Sequence, residues 1–328
     1  MNARRIVSLV VTALIATILI VVAAFRVDWP SVGGELAQAK LMWVAVALVF
    51  YFGIVFLWAA QWWALLPRDI HRPYATIFEI VAVMALVANT VPYMIGHGAG
   101  AVLLSTRGKV GNAIAVSVLA LEQLAEGIAK LGVLLLVALL IPLPSWLAGG
   151  MVGLTGSLLI LMAVFLLAIA WHRFPFNNKT RVESASESRL RRFLKRLAGH
   201  LESVRDWRVF GLGLAFTLGM KSSEAIGIAA VQHAFGMDPT VGGVLLVLAA
   251  TNIATMISLV PGNLGVYEGA AYLAYSYLGV PAEQAIGMGV IHHFCTLVAM
   301  VGAGYFIVVT RGVGVPRTRS LVPHEPEN

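Results

Sequence analysis

SLVPGNLGVYEGAAYLAY, residues Ser258 to Tyr275, sets Pro261, Gly262, Asn263, Gly265 and the charged Glu268 close together inside a long apolar region. Proline lacks the N–H that a helix needs, and glycine permits backbone conformations that other residues resist. A chain that breaks its own helix in apolar surroundings must satisfy the freed backbone groups some other way. The reading of this stretch depends on what surrounds it.

The surroundings are those of a membrane protein. The chain of 328 residues is 59% hydrophobic and 12% charged, with a mean hydropathy of +0.86. A soluble domain of that composition would expose a very large apolar surface. Its apolar runs are continuous rather than alternating, which excludes a transmembrane β-barrel. Several reach the ~20 residues that cross a bilayer core. The expected fold is therefore all-α and polytopic. The lone Cys295 lies in an apolar helix and forms neither an internal disulfide nor a cysteine-based metal site.

Six full spans are expected, at Ile6–Phe25, Leu41–Leu66, Asn112–Ile141, Trp146–Trp171, Trp207–Phe235 and Ala282–Thr310. The first also resembles a signal peptide, but its apolar run is long for one, and it is read as an uncleaved span. Two further apolar regions, Pro73–Ser105 and Val241–Gly279, are interrupted by NTVPYMIGHGAG (Asn89–Gly100) and by the opening stretch. Each could be two spans, one span with a loop, or a re-entrant hairpin.

Lys and Arg positions decide among these, because short cytoplasmic loops collect them. With two re-entrant hairpins and a cytoplasmic N-terminus, 19 of the 23 Lys and Arg residues fall inside. Only Arg26 and Lys40 fall outside, while Lys130 and Lys221 lie within the membrane. Reading Pro73–Ala88 as a crossing would put the basic Arg173–Arg208 loop outside instead. The net charge of +7 thus reflects topology rather than nucleic-acid binding.

That topology contains an inverted repeat within a single membrane domain, residues 1–310. Span, hairpin and span over 41–141 are matched by span, hairpin and span over 207–310, in the opposite orientation. Broken helices in inverted repeats are the architecture of secondary transporters, with substrate held at the breaks. Residues 184–208 read as a basic amphipathic helix lying on anionic lipid of the cytoplasmic leaflet. Residues 311–328 read as a disordered cytoplasmic tail.

Ionisable residues within spans are costly and mark functional sites. Glu122, Glu126 and Lys130 stand at i, i+4 and i+8 on one helix face. Lys221 and Glu224 lie three apart on a later span, with Asn252 on the limb entering the second break. Asn89, Pro92, Gly96 and His97 belong to the first break; Pro261, Gly262, Asn263, Gly265 and Glu268 belong to the second; His293 is on the last span. Simple neutralising pairs, Glu126–Lys130 and Lys221–Glu224, are the structural alternative. His292 and His293 point to different faces, so at most one lines a cavity. The helix restarting near Gly265 is expected to offer free N–H groups and a positive dipole end to an anionic headgroup.

These residues resemble the flippase-like membrane family that includes the transmembrane domain of lysylphosphatidylglycerol synthases. Pro261, Gly262, Gly265, Val266 and Glu268 match its second-half motif, followed by Gly279 and Val280. In its first-half motif Asn89, Pro92, Gly96 and Glu122 fit, whereas His97 stands where the family has Glu, and Gly100 and Gln123 stand where it has Arg. His293 stands where another Arg is expected. The resemblance runs from about Leu41 to Thr310 and implies movement of an amphipathic lipid between leaflets of a bacterial inner membrane. The lipid would be a phospholipid, a polyprenyl-phosphate glycolipid or a hopanoid-like molecule.

No G-x-x-x-x-G-K-[ST] loop occurs, so movement is expected to run downhill or on an ion gradient, with Glu122, Glu126 and Glu268 as proton carriers. No cofactor, metal or enzymatic activity is expected. The alternatives are an ion-coupled small-solute transporter of the same architecture, and an accessory subunit or membrane-embedded transferase of lipid biosynthesis. The sequence leaves the oligomeric state open.

Overall fold

The computed structural model describes residues 29–67, 70, 72–91, 93–173, 207–256 and 260–312. The expected span Ile6–Phe25, the amphipathic stretch up to residue 206, the tail beyond residue 312 and Pro92 lie outside the described residues.

Ten α-helices and one short 3-10 turn make up the described chain, with no strand among them. They are α1 (Trp29–Gln38), α2 (Leu41–Leu65), α3 (Tyr74–Ala88), α4 (Tyr93–Thr106), α5 (Asn112–Leu140) and α6 (Ser145–Arg173). There follow α7 (Trp207–Ala234), α8 (Val241–Met256), the 3-10 turn Pro261–Asn263, α9 (Val266–Tyr277) and α10 (Ala282–Arg311). Five of them, including the Ser145–Ala163 part of α6, are long and apolar enough to cross a membrane. The chain is a polytopic helical membrane protein. Helix ends follow local chemistry: Pro67 stands just past α2, Pro142 and Pro144 separate α5 from α6, and left-handed Gly312 closes α10.

The four helices of the two broken regions are too short to span. α3, α4, α8 and α9 have 15, 14, 16 and 12 residues, or roughly 18–24 Å at 1.5 Å per residue, against a hydrocarbon core of about 30 Å. Each pair folds back on itself. Arg72, before α3, donates from Nη2 to the carbonyl of Lys109, beyond α4, at 2.9 Å, and from Nε to that of Gly108. Entry and exit of the first hairpin therefore share one end of the bundle. At the second, Gly243 at the start of α8 lies against Leu278, just past α9.

The two mouths open at opposite ends. Glu79 on α3 binds Arg107 at 2.6 Å and approaches Arg311, the last residue of α10, at 3.5 Å. At the other end the Tyr277 hydroxyl donates to the carbonyl of Pro142, just past α5, and Gln284 near the start of α10 donates to that of Phe235. The tips meet between these ends: Gly262 of the second break lies against the carbonyl oxygen of Asn89 in the first.

Packing between the units is reciprocal. The opening spans α2 and α7 pack along each other antiparallel, with Lys40 N–H donating to Ala234 O at one end and Gly213 against Leu65 at the other. The closing span α10 packs on α3 of the first hairpin, and the closing span α5 packs on α8 of the second. Each unit thus completes the other's hairpin. Exposed apolar side chains such as Phe56, Leu139, Leu159 and Phe306 cover the outer faces, the surface that hydrocarbon solvates.

One element was not foreseen. α1 contains adjacent glycines and little helix propensity, yet it forms because Val32 is buried and the helix packs on α10.

Candidate functional site

A polar cavity of about 170 Å³ opens where the two hairpin tips approach one another. Every polar wall comes from an element already placed. α5 contributes Glu122, Glu126 and Lys130, and α7 contributes Lys221 and Glu224. α8 adds Thr251, Asn252 and Thr255, α10 adds His293 and Thr296, and the breaks add Asn89 and Asn263.

The charges form one network rather than two local pairs. The Lys221 ammonium lies 2.7 Å from Glu126, 2.6 Å from the Asn252 carbonyl oxygen and 3.4 Å from Glu224. Asn252 donates its amide N–H to Glu224 at 2.9 Å, and Lys130 sits 3.3 Å from Glu126. The shorter contact of Lys221 therefore reaches across to the first unit, which the i, i+3 spacing on α7 did not indicate. Two carboxylates and two ammonium groups compensate one another in surroundings where an unpaired charge is very costly.

Two histidine–carboxylate pairs stand apart from that network. His97 Nε2 is 3.5 Å from Glu122 Oε1, which also accepts from Trp58 Nε1 at 2.8 Å. His293 Nδ1 is 2.7 Å from Glu268 Oε1, and its ring stacks on Tyr267 with centroids 4.8 Å apart. Glu122 and His293 line the cavity, while their partners His97 and Glu268 are not part of its lining.

The second break differs from the expectation of an open anion site. Gly262, Asn263 and Gly265 take positive φ values of 65°, 55° and 78°, conformations that glycine and asparagine tolerate best. Glu268, in the first turn of α9, accepts the N–H of Gly265 at 2.7 Å, so the chain's own carboxylate already occupies the positive end of that helix. Glu268 uses its other oxygen for His293, and it stands behind the cavity rather than in it.

The remaining break residues are structural. Gly96 lets α4 lie directly on α3, since a methyl group there would meet the Ala88 backbone. Pro261, Gly262 and Gly265 shape the turn without lining the cavity. Asn89 caps α3 by donating to Ala85 O at 2.8 Å and lines the cavity as well. His292 turns away from the cavity, between the hydroxyls of Tyr51 at 3.3 Å and Tyr275 at 2.7 Å.

Tyr51, Trp58 and Tyr267 line the cavity and escaped the sequence reading. Large aromatic residues in apolar spans carry no signal alone. Tyr51, Ile54 and Trp58 do stand at i, i+3 and i+7, a stripe that would have shown which face of α2 meets the polar helices. Among the described residues no group of His, Cys, Asp and Glu is arranged to hold a metal ion.

Two broken hairpins tip to tip, with a charged cavity shared between inverted units, define a polytopic helical membrane protein. The chain belongs to the family of the lysylphosphatidylglycerol synthase TM region, whose family model matches residues 6–304. It is similar to a UPF0104 membrane protein of Methanothermobacter thermautotrophicus, 24% identical over 275 residues, which cover 76% of this chain and 77% of the relative's length. No solved structure matches the chain.

Proposed function

We propose that the protein moves an amphipathic lipid between leaflets, with the headgroup passing through the cavity and the tails remaining in the bilayer, without ATP. The observation that carries this reading is the cavity itself, charged, held between two broken hairpins and walled by both units. The exposed break beside it supports a lipid rather than a free solute. Pro261, Leu264 and Gly265 are exposed at the tip of the second hairpin, between the two ends of the bundle. The family's description names a phosphatidylglycerol derivative, which supports the same substrate class.

The headgroup class follows from charge. Glu122, Glu126 and Glu224 outnumber Lys130 and Lys221 in the lining, and Glu268 already fills the helix end that would otherwise attract an anion. The cavity therefore suits a headgroup bearing an amine. The Lys and Arg distribution supports an orientation with the Arg173–Arg208 loop and both termini on the cytoplasmic face of a plasma membrane, where residues 184–208 would meet anionic lipid.

The test uses the full chain reconstituted into vesicles with tail-labelled fluorescent lipids, scored by a membrane-impermeant quencher. Protein-dependent movement is expected, faster for amine-bearing headgroups than for purely anionic ones. No protein-dependent movement of any lipid would remove the transport reading. Faster movement of anionic lipids would remove the headgroup assignment.

A further inference from the structure

The two histidine–carboxylate pairs occupy equivalent places in the two units. Each joins the return helix of a hairpin to the closing span of its own unit: α4 to α5 through His97 and Glu122, α9 to α10 through Glu268 and His293. The residue types are exchanged. In the first unit the acid is on the span and the histidine on the hairpin, and in the second the reverse holds. In both, the span residue lines the cavity and the hairpin residue stands behind it.

We infer that His97–Glu122 and Glu268–His293 are the proton-binding sites of this protein, one per unit, and that their protonation competes with a cationic headgroup for the cavity. The competition rests on the transport reading above; the proton sites themselves do not. The other ionisable groups in the lining are unsuited to the role. Glu126 lies against Lys130 and Lys221, and Glu224 against Lys221 and Asn252, so a proton on either acid would leave an ammonium uncompensated. The pairs contain no permanent charge. Imidazole is the side chain whose charge changes between about pH 5 and 8, so one proton takes each pair from a net negative charge to neutrality.

A second observation points to the same place. Glu122 is only 3% exposed, and its Oε2 has no hydrogen-bond partner among the described residues. A buried carboxylate oxygen without a partner is costly, and a proton or an ammonium group would relieve it.

The groups facing each pair are few. Around Glu122 stand Trp58 on α2, His97 on α4, Glu126 one turn along α5, and Lys221 and Glu224 across the cavity on α7. His293 contacts Glu268 and Tyr267 on α9, and it shares the cavity lining with Thr296 on α10, Tyr51 on α2, Asn89 beyond α3, Glu126 and Lys130 on α5, Lys221 and Glu224 on α7, and Thr251 and Asn252 on α8. Glu126 and Glu224 are the acids that share the cavity with both pairs; Lys130 and Lys221 hold the first, and Lys221 and Asn252 hold the second. The charge change on protonation therefore falls on the pairs. A more acidic compartment adds protons and displaces a cationic headgroup, while a more alkaline one favours the headgroup.

The experiment reads the imidazoles directly, without a lipid substrate. The full chain carrying ¹⁵N-labelled histidine is placed in nanodiscs and titrated by NMR, with H97Q and H293Q as assignment variants. Over a scan from about pH 5 to 8 each imidazole is expected to respond to pH, and E122Q and E268Q should each alter their partner's response through loss of the carboxylate. An imidazole that keeps one protonation state across this range, or a response indifferent to its partner's change, overturns the assignment. Trp58 fluorescence gives an independent check in case E122Q does not fold: its pH dependence should be present in the unaltered chain and absent in H97Q. A dependence unchanged in H97Q overturns the first pair. In the vesicle assay an imposed pH gradient should change the rate of lipid movement. Movement indifferent to the gradient overturns the competition, whereas titrating imidazoles with no lipid movement would leave the proton sites standing and remove the lipid reading.

Discussion

Lys221 shows how much one side chain can decide in a membrane interior. Its ammonium joins Glu126 of the first unit to Glu224 and Asn252 of the second. Burial of an isolated ammonium would be very unfavourable, and these oxygen contacts make its insertion tolerable. Lys221→Met is therefore expected to leave the network one positive charge short, with Glu126 keeping only Lys130 and Glu224 only the Asn252 amide. The side chains of Lys221 and Glu126 keep 11% and 17% exposure, so the loss belongs near the low end for breaking a buried pair, about 3 kcal/mol. Adding Glu126→Gln to Lys221→Met should recover part of that loss, because charge balance returns. Thermal unfolding in detergent, followed by size-exclusion of the surviving fraction, measures both. A double variant less stable than Lys221→Met by the full cost of Glu126→Gln alone would show that the two residues are not coupled. Glu224, three residues along α7, was legible as a partner of Lys221, whereas Glu126 was not, since helical spacing connects residues of one element and cannot see across to another.

The hairpins are where sequence signals and three-dimensional contacts are most evenly matched. Prolines and glycines marked both breaks, and helical lengths of 12 to 16 residues excluded full crossings. The five described spans begin and end within two residues of the expected positions, because apolar runs bounded by charge or proline are strong signals. What each glycine does was not legible. Gly262 holds a positive φ and sits 3.1 Å, by the position of an added methyl, from Asn89 O in the opposite tip. Gly96 instead brings the two limbs of its own hairpin together. Gly96→Ala should therefore spread α3 from α4 and lower stability by about 1–3 kcal/mol, the usual cost of overpacking. Gly262→Ala should act mainly between the tips, slowing lipid movement in vesicles more than it lowers the unfolding temperature. Equal effects of both substitutions on both measurements would contradict this division. The cap at Gly265 carries the same lesson, since a glutamate three residues into a helix can serve its own N-terminus before any ligand does.

Across the whole molecule, the two mouths open at opposite ends, and each closing span leans on the other unit's hairpin. The cavity is shared because neither unit can close it alone: α5 of the first and α7, α8 and α10 of the second all contribute polar walls. An arrangement with two equivalent halves can expose the shared site to one side or the other by exchanging the roles of its hairpins, which is how inverted repeats support alternating access. On the orientation proposed above, the first mouth faces the cytoplasm and the second faces outside. Thr106 is exposed at the first mouth and Asp238 near the second, while the native Cys295 is buried and silent to thiol reagents. In intact cells a membrane-impermeant maleimide should therefore label Asp238→Cys and leave Thr106→Cys unlabelled until the membrane is permeabilised. Labelling of both from outside would place the mouths on one side and break the inverted relation of the two units. Labelling of Thr106→Cys alone would keep that relation and reverse the orientation of the chain.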